Sequence, residues 1–80
     1  MARVTVLYFA SLRDAAGTAS ETIDSGAADL RALYAALCER HGFALPADRL
    51  RVAVDGAFAR WDDALADGSE IAFVPPVSGG

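Results

Sequence analysis

The residues with the simplest reactive chemistry in this sequence are its last two, Gly79 and Gly80. Because neither has a Cβ, an enzyme can close around the terminal carboxylate and reach its carbon from any side. The preceding Pro75 and Pro76 fix φ and favour an extended, polyproline-like spacer. From Pro75 to Gly80 this arm would reach about 20 Å, at roughly 3.3 Å per residue. The pattern predicts that Gly80 is the reacting group and that Gly79 gives access to it. The alternative is a frayed end without function.

A second candidate for chemistry is the pair Cys38 and His41, three residues apart on a predicted helix and therefore on one side of it. The two could form an activated thiol with its base, or half of a metal site. Both lie on the apolar stripe of that helix, and the sequence has no other cysteine or histidine to complete a site. We therefore expect Cys38 to be a small core residue, His41 to favour the helix C-terminus, and the chain to bind no metal.

Four acidic residues just before the tail, Asp62, Asp63, Asp67 and Glu70, form a third candidate. They could be solvated turns, a docking face for a basic partner, or a metal or catalytic site. Turn chemistry alone accounts for Asp63 and Asp67, which favours the first reading. The sequence also lacks a glycine-rich phosphate loop, so ATP would have to be bound by another protein. We expect no self-contained active site outside the tail.

The elements that must position the tail follow an α+β pattern. The clearest is a helix over 29–41, in which apolar residues recur at helical spacing, with Ser25 or Asp29 as its cap and Gly42 just past its end. Asp55-Gly56 predicts a two-residue type I′ hairpin turn. The other expected elements are strands over 3–9, 18–23, 50–54, 57–61 and 70–74, and a helical turn over 11–16 closed by Gly17.

This order predicts one main helix packed across a mixed sheet of about five strands, an α+β roll of the β-grasp type. The domain would span residues 1–74, and residues 75–80 would form a flexible, extended tail, since Pro75 cannot continue the strand ladder. Among the aromatic residues, Tyr8, Phe58, Trp61 and Phe73 alternate with other apolar positions. We expect them to pack in the core or the hairpin rather than form a stacking surface.

Composition limits the functional classes. Eighty residues make one small domain, and a lone cysteine rules out an internal disulfide, which fits a reducing, cytoplasmic setting. The net charge is −4 and all seven basic residues are arginines, which argues against nucleic acid and against anionic membranes as partners. No apolar run approaches the roughly 18 residues of a membrane span. Without lysine, neither the chain nor its copies has an ε-amine to capture an activated C-terminus.

Two segments carry a resemblance to a known family. They run from Val6 to Gly17, and from Leu65 through Pro75-Pro76-Val77-Ser78 to Gly80. Both resemble the small subunits of molybdopterin synthase, which are ubiquitin-like sulfur carriers. The resemblance extends over the whole chain without insertion, although between Thr18 and Arg60 it lies in pattern more than in identity. At Val74 many relatives carry a second aromatic residue.

The resemblance implies a function in two stages. A ubiquitin-activating-like adenylyltransferase would use ATP to adenylate Gly80, and a sulfur donor protein would then convert it to a thiocarboxylate. The sulfur would pass to cyclic pyranopterin monophosphate in the active site of the large synthase subunit, in a heterotetramer. The chain itself would bind no cofactor.

For docking, we expect the exposed sheet face and the base of the tail to meet partners. Arg13 could pair with a partner's carboxylate, or could simply be a solvated arginine. The expected partner-binding residues are Arg13, Phe73, Pro75, Pro76, Val77 and Ser78.

Other readings of the same tail remain open. A ubiquitin-like modifier would use Gly80 to form isopeptide bonds with lysines of target proteins. A carrier with the same chemistry could serve thiamine or amino-acid synthesis. A plain interaction domain with an inert tail is the reading without chemistry.

Overall fold

The computed structural model describes residues 1–76, which form a five-stranded mixed sheet with one long and one short helix. The strands are β1 (Ala2–Tyr8), β2 (Ser20–Ser25), β3 (Arg51–Val54), β4 (Ala57–Ala59) and β5 (Glu70–Val74), and the helices are α1 (Ala10–Ala16) and α2 (Leu30–His41). The strand order is β2-β1-β5-β3-β4. β5 lies at the centre, parallel to β1 and antiparallel to β3. The predicted α+β architecture is confirmed.

The core lies between α2 and one face of the sheet. Successive strand residues point to opposite faces, so every second residue of β1, β3 and β5 is buried against the helix. Removing this apolar surface from water is the main force that holds the sheet and helix together. The buried apolar residues are Val4, Val6, Tyr8, Leu12, Leu30, Leu33, Tyr34, Leu37, Phe43, Leu50, Val52, Ile71 and Phe73.

Helix α2 has the ends that its sequence predicts. Asp29 is the N-cap, and its Oδ1 accepts a hydrogen bond from the Ala32 N–H at 2.8 Å. Ser25 is not the cap, because its hydroxyl accepts from the N–H of Ala27 instead. Gly42 ends the helix at φ +72°, a conformation that glycine adopts without strain. No helix within residues 1–76 is long and apolar enough to cross a membrane.

The hairpin between β3 and β4 is also as predicted. Asp55 and Gly56 have φ values of +51° and +86°, as a type I′ turn requires at both central positions. Several strand ends differ from the prediction by one or two residues, and the largest differences are in β2, which spans Ser20–Ser25 in place of 18–23, and in β4, which ends at Ala59 in place of 61. β2 begins at Ser20 because Thr18 turns its hydroxyl onto the Ser20 backbone, and β4 ends at Ala59 because a turn follows at once, over 60–63.

Candidate functional site

The base of the tail leaves the sheet at its centre. β5 ends at Val74; Pro75 follows half-buried and Pro76 is exposed. Because β1 and β5 are parallel, with Tyr8 opposite Phe73, the end of β1 lies beside this exit. The expected site residues Val77, Ser78, Gly79 and Gly80 lie outside the described residues.

The face of the sheet opposite α2, called here the open face, has an apolar row across its middle. Leu7 is paired with Ala72, Ala72 with Ala53, and Ala53 with Phe58, so the row crosses β1, β5, β3 and β4 in turn. The first three residues are half-buried by their neighbours alone, and Phe58 is 70% exposed. This face therefore has an apolar centre that no helix covers in the described chain.

A second exposed aromatic residue, Phe9, lies beside the tail exit. Its backbone is extended (φ −127°, ψ 151°), so it continues the alternation of β1, and two residues after Leu7 it points to the same open face. Phe9 is 45% exposed. Exposed aromatic side chains of this kind are common at interaction surfaces. Sequence reasoning missed Phe9 altogether, although its place in the alternating run 3–9 is the signal that could have found it.

The expectation for Phe58 was wrong in part. It does not enter the core, because it lies opposite Ala53 in the sheet register and therefore on the open face, away from α2. Its packing is local: the guanidinium of Arg51 lies 5.5 Å from its ring centroid. The expectation of core packing is correct for Tyr8 and Phe73, which are buried, while Trp61 is half-buried.

The assignment of Phe73 as a partner-binding residue was also wrong. Its side chain is fully buried on the α2 side, where its ring stacks on Trp61 with 5.8 Å between centroids and 6° between planes. A ring in this position supports the tail base from below and cannot contact a partner. The outward position is taken by Val74, the next residue along the strand.

Arg13 is exposed on α1, as a partner contact requires. No carboxylate of residues 1–76 forms an ion pair with it, so both of its readings remain compatible with the structure. α1 itself is fixed by Leu12, which is buried, and by Gly17, whose N–H donates to the Arg13 carbonyl at 2.9 Å.

A groove of about 590 Å³ opens beside the tail base, where β3 and β4 meet it. Its lining includes the two prolines of the tail base, Pro75 and Pro76, and the aromatic residues Phe58 and Trp61. Arg49 and Arg51 bring positive charge to a chain whose net charge is −4. The remaining lining residues are Asp48, Leu50, Val52, Ala59 and Val74.

The Cys38–His41 pair is not a catalytic dyad. Cys38 is half-buried against the core, as expected, and the Nε2 of His41 lies 2.7 Å from Oε1 of Glu21. The Tyr8 hydroxyl donates to the same carboxylate, and Arg40 lies 3.5 Å from it. Sequence reasoning missed Glu21, although a carboxylate on the inward side of a strand signals that buried partners must exist.

Three of the four acidic residues before the tail, Asp62, Asp63 and Asp67, belong to turns, and Glu70 is the first residue of β5. Asp63 accepts from the Arg60 N–H at 3.1 Å, and Asp67 from the Arg3 N–H at 2.7 Å. Asp62 forms an exposed ion pair with Arg60. Within residues 1–76 no group of three or more His, Cys, Asp or Glu side chains is arranged to hold a metal ion.

Comparison with known proteins identifies the family. Residues 6–80 match the model of the ThiS family. The chain is also 36% identical over 80 residues to the molybdopterin synthase sulfur carrier subunit of Escherichia coli K12, an alignment that covers 96% of this chain and 99% of that protein. The chain belongs to the ThiS family. Its predicted resemblance to the small subunits of molybdopterin synthase is confirmed.

Solved structures of family relatives have the same fold. A putative molybdopterin converting factor subunit 1 from Pyrococcus furiosus is 31% identical, with a TM-score of 0.78, over 96% of this chain and all of that chain. The modifier protein SAMP1 of Haloferax volcanii is also 31% identical, with a TM-score of 0.79, over 98% and 99% of the two chains. In a complex of subunits 1 and 2 of the molybdopterin-converting factor from Helicobacter pylori, the matching chain is 26% identical, with a TM-score of 0.67, over 98% and 99%. The β-grasp prediction is confirmed.

Proposed function

We propose that this chain is the sulfur carrier subunit of a molybdopterin synthase and that Gly80 carries the sulfur as a thiocarboxylate. The observation that carries the proposal is the 36% identity, over nearly the whole chain, with the sulfur carrier subunit of Escherichia coli. The Gly79-Gly80 end, spaced from β5 by Pro75 and Pro76, supplies the chemical group.

A carboxylate resists nucleophiles until one of its oxygens becomes a leaving group. In the proposed first step, a Gly80 oxygen attacks the α-phosphorus of ATP, which releases pyrophosphate and leaves an acyl-adenylate. Hydrosulfide delivered by the donor protein then attacks the carbonyl carbon and displaces AMP, which leaves the Gly80 thiocarboxylate. In the synthase, the thiocarboxylate sulfur attacks a carbon of cyclic pyranopterin monophosphate and displaces an oxygen substituent from it. Water then hydrolyses the resulting thioester, which leaves the sulfur on the pterin and restores the Gly80 carboxylate. ATP and the oxyanion-stabilising groups belong to the partner enzymes.

The large subunit of the synthase is the partner that we propose for the open face. The apolar row and Phe9 leave large apolar side chains exposed next to the point where the tail departs. A partner seated there would bury them and receive the tail in the same encounter. The Helicobacter pylori relative was solved in a complex of subunits 1 and 2, which supports a partner of this kind. We extend the proposal to a heterotetramer in the cytoplasm, where ATP and a reduced Cys38 are both expected.

A protein-modifier function is the second candidate, because the matching Haloferax volcanii protein is a small archaeal modifier. In that case Gly80 would form isopeptide bonds with lysines of other proteins, since this chain has none. A carrier for thiamine or amino-acid synthesis would share the thiocarboxylate step and differ only in the acceptor.

Intact-protein mass spectrometry of the chain from its host tests the proposal. The expected result is a species heavier by the exchange of one oxygen for one sulfur, located on Gly80. Gly80→Ala should abolish molybdopterin formation with the large subunit and leave folding unchanged. Gly26→Ala is the matched control, because Gly26 faces open space and does not need a positive φ. Activity in Gly80→Ala, or lysine conjugates without any thiocarboxylate, would reject the sulfur-carrier function.

A further inference from the structure

Arg51 is one of four arginines among the seven of this chain that form no ion pair within residues 1–76. Arg3 pairs with Asp24 at 3.0 Å, and Arg40 and Arg60 also lie within 4 Å of carboxylates. No carboxylate of residues 1–76 forms such a pair with Arg51. Its positive charge therefore remains available on a chain that is negative as a whole.

The side chain of Arg51 is also held in position. It lies opposite Val74 in the sheet register, beside the tail exit, and its guanidinium lies 5.5 Å from the centroid of the Phe58 ring. The ring supports one face of the planar cation, while the side chain as a whole remains exposed. A guanidinium oriented in this way can bind a carboxylate through two parallel hydrogen bonds, with little further loss of side-chain freedom.

The surroundings of Arg51 are apolar with a charged rim. In the groove beside the tail base, Trp61, Val74 and Pro75 provide apolar contact surface. Arg49 adds a second positive charge at the rim, and Asp48 partly offsets it. Two arginines beside an aspartate, on an acidic chain, make a poor surface for a phosphate polymer but suit a single carboxylate.

We infer that this groove binds a segment of the docking partner in which an Asp or Glu side chain lies next to an apolar one. Arg51 recognises the carboxylate, and the surface over Val74 and Pro75 receives the apolar side chain. The inference rests on the proposed function, because the partner is the large subunit that we place on the open face. It adds a determinant of partner choice, since a partner without the acidic residue would leave Arg51 unpaired in the interface.

The test is calorimetric titration of the full chain with the purified large subunit from the same genome, at low and at high salt. At low salt, Arg51→Glu should weaken binding about tenfold or more, because attraction becomes repulsion. The Kd of Arg51→Lys should lie between those of the wild type and Arg51→Glu, since lysine keeps the positive charge but lacks the planar guanidinium. Raising the salt concentration should narrow the difference in Kd between the wild type and Arg51→Glu.

Arg31→Glu is the matched control. Arg31 is also exposed and also lies over an aromatic ring, 5.8 Å from the centroid of Trp61, but it projects from α2 and does not line the groove. The Arg31→Glu variant makes the same change of charge as Arg51→Glu, and it should alter the Kd for the large subunit less than twofold. Thermal unfolding of each variant confirms that it is folded.

The possible outcomes separate the two proposals. Failure of the wild-type chain to bind the large subunit would count against the proposed function. Wild-type binding that Arg51→Glu leaves unchanged, or that both charge reversals weaken equally, would overturn the role of Arg51. Sedimentation that shows a wild-type dimer dissociated by Arg51→Glu would also overturn it, because a second copy would then occupy the groove.

Discussion

The imidazole Nε2 of His41 lies 2.7 Å from Oε1 of Glu21, so the last residue of α2 is tied to the inward side of an edge strand. Tyr8 donates its hydroxyl to the same oxygen, and Arg40 approaches the other one at 3.5 Å. One carboxylate thereby joins β1, β2 and α2. These contacts hold a half-buried acid in its ionised form, which makes the stability of the fold depend on pH.

The acid side of the stability profile should be set in part by Glu21. Partial burial raises its pKa, but the hydrogen bonds from Tyr8 and His41 and the charge of Arg40 together lower it from 4.5. A lowered pKa means that the stabilisation is present above pH 4.5 and is lost as the pH falls through the pKa of the folded state. Glu21→Gln should make the free energy of unfolding less dependent on pH in this range. Glu21→Ala should lower the free energy of unfolding by about 2 kcal/mol at neutral pH.

Urea unfolding at a series of pH values measures this effect. Asp14→Asn is the control, because Asp14 is an exposed carboxylate on α1. If the free energy of unfolding falls as steeply with decreasing pH in Glu21→Gln as in the wild type, groups other than Glu21 control the loss of stability in acid.

The alkaline side should depend on Tyr8 and Tyr34. Burial raises the pKa of both hydroxyls above the ordinary 10, assisted by Glu21 at Tyr8 and by Cys38 at Tyr34. Stability from these groups is complete below pH 10 and is lost as the pH rises further, because ionisation is easier in the unfolded chain. Tyrosinate absorbance should therefore appear together with unfolding. In Tyr8→Phe and Tyr34→Phe, the free energy of unfolding should fall less between neutral and alkaline pH than in the wild type. Tyrosinate formation in a chain that stays folded would contradict the prediction.

We expect the side chain of Phe73 to stabilise the fold. Phe73→Ala removes a fully buried ring that contacts Trp61 and Tyr34, and should cost about 3–5 kcal/mol. Because a domain of this size can lose its fold at that cost, Phe73→Leu serves as the milder variant, with a smaller loss. Phe58→Ala is the contrast and should change the free energy of unfolding by about 0.5 kcal/mol or less. Equal losses at the two positions would contradict the burial difference.

The exposed aromatics should act in binding. Phe9→Ala and Phe58→Ala should each weaken association with the large subunit about tenfold, because each removes a large apolar contact, and should leave the melting temperature nearly unchanged. Surface plasmon resonance with the large subunit immobilised measures the loss. Glu39→Ala, on the exposed side of α2, should bind like the wild type. If the Phe9→Ala, Phe58→Ala double variant bound the large subunit with full affinity, the open face would not be the docking surface.

Local signals in the sequence were enough for most of the fold. Asp29 and Gly42 fix the ends of α2 through contacts within a few residues, and Asp55-Gly56 determines its own turn. The α+β class followed from one amphipathic helix among short strands. The family resemblance depended on the tail, whose chemistry requires no knowledge of the packing.

The candidate site was harder because it depends on which side of the sheet is covered. Ile71 to Val74 is apolar throughout, so alternation gives two faces without saying which one meets α2. For this reason the sequence alone does not indicate that Phe73 is buried and that Phe58 is exposed. The partners of Glu21 could not be found from spacing either, because His41 lies 20 residues away along the chain.

The central position of β5 has a mechanical consequence. Four residue pairs join it to β1 and four join it to β3. An enzyme that pulls on the tail loads this strand along its length, so it can slide only if both ladders shear together. An edge strand under the same force would be held by one ladder only. The fold can therefore withstand traction on its terminus while a partner draws the tail into an active site.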